Sequence, residues 1–282
     1  MIETKPEMLE TKNSNVSLNV IVFKHQNSNE KLLEKTMLNW VCDAVKKYET
    51  IVVEYNKEIP ELSQIQNNLR ESNFTLILHS FNPLITEKNI DLCIDYLVLR
   101  KEKLIKLPFG FVCETNYIKS LTEIKEPVLF GGDASEFLKI ESSEEMEYAT
   151  EVLQRRIIKN LTQKGVKIVN PTNVVINANV CVESDVTIFP FNNLCGNTII
   201  KKNTVLKEGN TITNSEIGSN CVVANSIISN STICSDCFIF PFNTIENNTF
   251  VGANCVIKSY NKINNAFIQE NTKIESFNEI GN

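Results

Sequence analysis

From about Val174 to Gly281, aliphatic residues stand six apart: Ile176, Val182, Ile188, Leu194, Ile200, Leu206 and Ile212. After a break the step resumes through Ile227, Ile233, Ile239, Ile245, Val251, Ile257 and Ile263, and Ile268, Ile274 and Ile280 continue it in a shifted phase. A helix repeats every 3.6 residues and a strand every two, so neither explains a period of six. A short strand followed by a corner does, with three such sides closing one coil. The ladder residues then point inward. The residue four places further on also faces inward, at a tight corner, and must be small. Val180, Val186, Asn192, Thr198, Thr204 and Asn210 meet that demand, as do Ser231, Cys237, Asn243, Thr249, Cys255 and Asn261. The many asparagines between them suit corners with left-handed backbone. About six coils at ~4.8 Å predict a prism roughly 29 Å tall. The interval from Ile212 to Ile227 is 15 residues, which predicts one shortened or bulged side.

The first half has a different rhythm. Leu18 to Phe23 is an apolar, β-branched run of the kind buried in parallel sheets. Glu30 to Lys47 carries Leu33, Met37, Trp40, Val41, Ala44 and Val45 at helical spacing. Ile51-Val52-Val53 predicts a second strand, Ile59 to Arg70 a helix with Pro60 in its first turn, Phe74 to Leu78 a third strand, and Asn89 to Leu99 a further helix. Alternating strands and helices over 18–140 predict a small doubly wound α/β domain. Ser142 to Lys164 predicts a long helix opened by a capping box and stopped at Gly165. The predicted organisation is an α/β domain over 1–143, a linker helix over 144–165 and the repeat over 166–282. Residues 1–16 are polar and aperiodic, and read as a frayed arm.

Composition narrows the function. A net charge of −6 argues against a nucleic-acid partner. No run of 18 apolar residues exists in the sequence, which predicts no membrane span. The first residues lack a secretory layout. Nine cysteines without export then predict free thiols in a reducing cytoplasm.

Candidate chemistry is sparse. Ligands of doubly wound domains sit beyond the carboxyl ends of the strands, and phosphate cradles there use glycine. The turn Lys24 to Asn29 has none, and the first glycine is Gly110. His25 and His79 both follow strands; a catalytic role is one reading and ordinary loop residues the other. Cys234 and Cys237 form a Cys-Xaa-Xaa-Cys pair, but Cys237 and Cys255 fall at the small inward position and Cys234 where glycine is common. A repeat role explains them better than a metal. The segment Ile188 to Asn192 recurs as Ile239 to Asn243, with phenylalanines at outward positions. Paired outward aromatics predict a covered surface.

The hexad pattern resembles the hexapeptide-repeat, left-handed parallel β-helix proteins. The whole order of α/β domain, connecting helix and β-helix resembles the bacterial bifunctional N-acetylglucosamine-1-phosphate uridyltransferase and glucosamine-1-phosphate acetyltransferase. Tyr148 to Asn170 followed by Pro171 is similar to that family's linker helix and first coil. Met37 to Val45 looks like one of its helix segments, and Asn82-Pro83-Leu84-Ile85-Thr86 like its substrate loop. The resemblance implies a nucleotidyltransferase-like domain, a trimer through the β-helix and a small sugar-phosphate or nucleotide ligand. It places Asn82 and Lys258 among the substrate-binding residues.

The departures fall on the chemistry. Where the family carries glycine and a metal-binding aspartate before Pro83, this chain has Ser80 and Phe81; a phenylalanine cannot hold Mg²⁺, which takes oxygen ligands. Glu141 stands near the second metal position and Glu246 at an arginine position of the acetyl-transfer site. No histidine follows His79, so the general base is missing, and the chain ends at Asn282, before the coils that would bind acetyl-coenzyme A. The resulting expectation is a catalytically degraded relative acting as a binding or assembly module, with no catalytic residue, metal or cofactor assigned. The alternative is an active nucleotidyltransferase or acyltransferase on hexosamine phosphates with non-standard site residues.

Overall fold

The computed structural model describes residues 17–55, 61–132 and 135–281. The expected arm over 1–16, and Ile59 and Pro60 of an expected helix, lie outside them. Contacts divide the chain into two units. One runs from Thr36 to Glu145 with the stretch ending at Glu30; the other is Met146–Asn282 with Lys31–Lys35.

The first unit contains β1 (Leu18–Lys24), α1 (Met37–Ala44), β2 (Glu49–Glu54), α2 (Leu62–Asn67), β3 (Phe74–His79), α3 (Glu87–Arg100), β4 (Leu104–Lys106), β5 (Phe111–Glu114), α4 (Thr115–Ser120) and β6 (Val128–Leu129). The sheet order is β2-β1-β3-β5-β4-β6. β1 is parallel to β2 and β3, whereas β5 runs antiparallel to both its neighbours. Alternation along β1 explains the two layers. Val20 and Val22 join a core with Val41 of α1 and Ile90 and Leu97 of α3. Ile21 and Phe23 join another with Ile65 of α2 and Ile118 of α4. The sheet is thus wound on both faces, as the alternating pattern predicts. One expectation fails: 31–36 is not helical. Leu33 and Glu34 have left-handed backbone, and the helix begins only after Thr36, whose hydroxyl accepts from the Asn39 amide at 3.2 Å. A cap at that point stops the helix extending backward.

Helix α5 (Ser143–Gln163) is capped as predicted: Ser142 Oγ accepts from the Glu145 amide at 3.2 Å, and the Glu145 carboxylate accepts from the Ser142 amide at 2.8 Å. Gly165 has φ +93°, the left-handed stop that ends a helix.

The second unit is the left-handed parallel β-helix, with three sheets of seven, six and seven strands. In-register pairing stacks like on like, as in Ile176 on Leu194 and Leu194 on Ile212. These rungs form one continuous core from Val174 to Ile274. The small inward positions are buried, and their polar atoms are used. Asn210 donates to Asn192 Oδ1 at 2.9 Å; Asn243 Oδ1 accepts from the Asn261 amide, and Asn261 Oδ1 from the Asn278 amide, both at 2.8 Å. Each amide ties one coil to the next, which is why an interior tolerates asparagine.

The break in the ladder is resolved differently from the sequence expectation. Ile228, not Ile227, is the inward rung: Ile228 is buried and Ile227 is 52% exposed. Ile212 pairs with Ile228. At the break three sides, 212–217, 223–228 and 228–233, have five residues instead of six (a fourth such side, 263–268, accounts for the later shift of phase). In each of the three, one asparagine (Asn214, Asn225 or Asn230) turns with positive φ, directly followed by an inward serine. Losing one residue at a corner keeps the next strand in register, so the prism continues unbroken.

Candidate functional site

The strand ends of the first unit converge as their register dictates. β1 and β3 are parallel neighbours with Phe23 opposite His79, so the residues that follow each strand meet. The Ser80 amide donates to Phe23 O at 2.9 Å, and the His25 amide donates to Ser80 Oγ at 3.0 Å. This fixes His25 Nε2 2.9 Å from His79 Nδ1. Phe81 closes the group. Its ring stacks on His79 with centroids 4.9 Å apart, lies 4.6 Å from His25, and meets Phe109 edge-on at 5.5 Å. Tyr55 sits edge-on to His25 at 6.4 Å. In the sequence the two histidines are simply residues that follow strands. The structure pairs them. The available signal was that both follow strands that a doubly wound sheet places side by side.

Beside this cluster is a cleft of about 170 Å³, lined by His25, Gln26, Ser28, Tyr55, Phe81, Ile140 and Glu141. It lies at the carboxyl edge, where α/β sheets bind ligands. Burial, reinforced by the neighbouring His25 and Lys139, pulls the His79 pKa down to about 3. His79 is therefore neutral at ordinary pH, and one imidazole nitrogen donates to the other. Ser28 Oγ is buried and without a hydrogen-bond partner. Glu141 pairs with Lys139 at 2.7 Å, and Lys139 Nζ also lies 5.2 Å over the Phe81 ring.

This arrangement does not fit the metal that the resemblance implies. Phe81, which the resemblance sets at a metal-binding position, is packed among aromatic rings, and the nearby carboxylate is matched by a lysine. Among the described residues no group of three His, Cys, Asp or Glu side chains is placed to hold a metal ion. Asn82, the expected substrate residue, is buried; its Nδ2 donates to Phe137 O at 2.9 Å and Leu138 O at 3.1 Å, tying down the loop, while its Oδ1 accepts nothing.

Lys258 belongs to the other unit. Its ammonium lies 4.5 Å over the Phe240 ring, and Lys207 stands likewise over Phe189 at 4.7 Å. These sites flank a prism edge where Phe191, Phe242, Tyr260 and Phe277 are exposed and have φ of 62–67°. Equivalent corner positions elsewhere carry Asp185, Asn203, Asn220, Asp236, Asn254 and Asn271. Phe242, Tyr260 and Phe277 stack in a column with centroids 5.0 Å apart. The cysteines are all free, and Cys237 and Cys255 are buried in the repeat interior. Cys234 stands one residue past its rung, as Gly218 and Gly252 do.

No family model matches the chain. Among curated proteins it resembles Bifunctional protein GlmU. The Trichormus variabilis protein is 34% identical over 128 residues, covering 45% of this chain and 28% of that protein. The Synechococcus elongatus protein is 34% identical over 131 residues, 46% and 29% of the two chains. The Clostridium acetobutylicum protein is 33% identical over 128 residues, 45% and 28%. The matched region thus spans under a third of these relatives' length. Among the described residues no helix is long and apolar enough to cross a membrane.

Proposed function

We propose that the chain is a non-catalytic relative of the bifunctional sugar-nucleotide transferases, working as a binding and assembly module. One observation carries the reading: Phe81, at the position where the resemblance expects a metal-binding aspartate, is built into a packed cluster with His25, His79 and Phe109. Phosphoryl and nucleotidyl transfer depend on electrostatic stabilisation of oxygen charge, and a neutral aromatic cluster provides little of it. The ligand class proposed, a small nucleotide or hexosamine phosphate, is the one the resemblance implies, and its place would be at the strand-end cleft whose loop Asn82 ties down. Lys258 offers a second anion contact on the prism. Assembly is as a trimer through the prism, since one of its edges carries a column of exposed aromatic rings.

Light scattering of the full chain tests the assembly: a mass near three chains of 32.0 kDa is expected, and a monomer would refute it. Thermal shift with UDP, UTP and N-acetylglucosamine-1-phosphate tests the ligand class. A bound ligand at ~100 Kd stabilises by about 2.7 kcal/mol, a shift readily read; no shift with any of the three would remove the ligand part.

The alternative, an active transferase with relocated residues, draws on the histidine pair. A neutral imidazole held by a second one is suited to proton transfer. That reading requires turnover that His25→Ala abolishes.

A further inference from the structure

The corner between the first and second prism sheets is shortened at two successive coils, and once more at 263–268. Sides 194–200 and 245–251 have six residues, whereas the two between them, 212–217 and 228–233, have five. Two adjacent coils are therefore recessed along one edge between full-length neighbours. The result is a groove of about 510 Å³, within the ~300–1,000 Å³ usual for small-ligand sites.

Its lining is unusual for such a volume. Ligand pockets are mostly apolar, but here the recessed corners contribute Asn214-Ser215-Glu216 and Asn230-Ser231-Thr232. The Asn214 carboxamide is oriented, because its Oδ1 accepts from the Asn197 amide at 3.0 Å, which leaves Nδ2 to present donors. Glu216 is held by Lys201, so the groove carries little net charge. At one end stands Phe250, whose ring stacks on Phe267 with centroids 5.0 Å apart and 7° between planes. Its strand neighbour on the other side is Thr232, which also lines the groove.

The oriented Asn214 amide, the further corner asparagines Asn197, Asn230 and Asn248, the Thr232 hydroxyl, a neutralised carboxylate and one aromatic ring match a ligand with many hydroxyls and one apolar C–H face. They do not match a phosphate, which needs cationic partners, or an apolar molecule, which would strand the amides. We infer that this groove binds a neutral oligosaccharide of two or three sugar units, its sugar face on Phe250 and its hydroxyls on the asparagine ladder. The site is independent of the strand-end cleft and of the reading above.

The test is saturation-transfer NMR on the full chain with maltotriose, cellotriose and chitotriose at millimolar concentration. At least one is expected to bind. Phe250→Ala should weaken it about tenfold, ~1.4 kcal/mol. A second variant inserts one glycine after Asn214 and one after Asn230, restoring six-residue corners and filling the groove; it should abolish binding while circular dichroism still reports the prism. Val175→Ser, on the first sheet away from the groove, should change nothing. Binding of none of the three sugars, or binding indifferent to both groove variants, overturns the inference.

Discussion

The prism and the α/β unit place their buried polar groups by opposite means. In the prism, Asn192, Asn210, Asn243 and Asn261 each bond to a residue about one coil away and to a carbonyl of their own corner, so their polar atoms are supplied by the repeat itself. In the α/β unit, His25 and His79 meet across 54 residues only because two strands pair in one register. Repetition makes the first arrangement self-correcting along the chain. The second depends on a single tertiary contact, and a change in either partner alters the site without disturbing the fold. That is how a scaffold can be kept while its chemistry is replaced.

The largest effect expected concerns the prism register. Ile228→Ala removes a fully buried rung and should cost about 3 kcal/mol, whereas Ile227→Ala at an exposed position should cost under about 1 kcal/mol. Guanidinium unfolding of the two variants decides between them. Equal losses would mean that the rung assignment at the break is wrong.

The histidine pair should show itself through pH. His79 in the unfolded chain takes up a proton near 6.5, but in the fold it stays neutral down to about 3. Between those values the unfolded state binds more protons, so stability rises with pH and is lost on acidification. Lowering the pH by two units inside that window should cost about 2–3 kcal/mol. Stability curves of the parent and His79→Gln should diverge accordingly, the variant keeping only the slope of the carboxylates; parallel curves would show that His79 is not the buried neutral group described.

These two regions also differ in how far the sequence discloses them. The period of six is a geometric consequence of strand plus corner, so the prism, its inward rungs and its small corners are readable residue by residue. The break misleads by one residue because Ile227 and Ile228 are both isoleucine, and only the pairing of Ile212 with Ile228 distinguishes them. The doubly wound sheet is readable from alternation, yet the Lys31–Thr36 segment reads as helix because Leu33 falls on the apolar stripe. Nothing local in the sequence signals that His25, His79 and Phe81 pack together. That Phe81 stands where the resemblance expects an aspartate is visible; the cluster that Phe81 completes is not.

The smallest effect is at the aromatic edge. Phe191 holds φ +62°, where a side chain with Cβ costs roughly 1–2 kcal/mol and asparagine is better tolerated. Phe191→Asn should therefore stabilise the isolated chain by about 0.5–1 kcal/mol while weakening self-association in sedimentation velocity. Destabilisation together with unchanged association would remove the case that these rings are kept for assembly.

If the chain is the non-catalytic relative proposed, a neutral aromatic cluster stands at its strand-end cleft where metal-assisted transfer would take place. Incubating the full chain with UTP, Mg²⁺ and N-acetylglucosamine-1-phosphate, and separating the products by anion-exchange chromatography, tests it directly. No UDP-N-acetylglucosamine above a protein-free blank is predicted; product that scales with protein concentration and disappears in His25→Ala would contradict it.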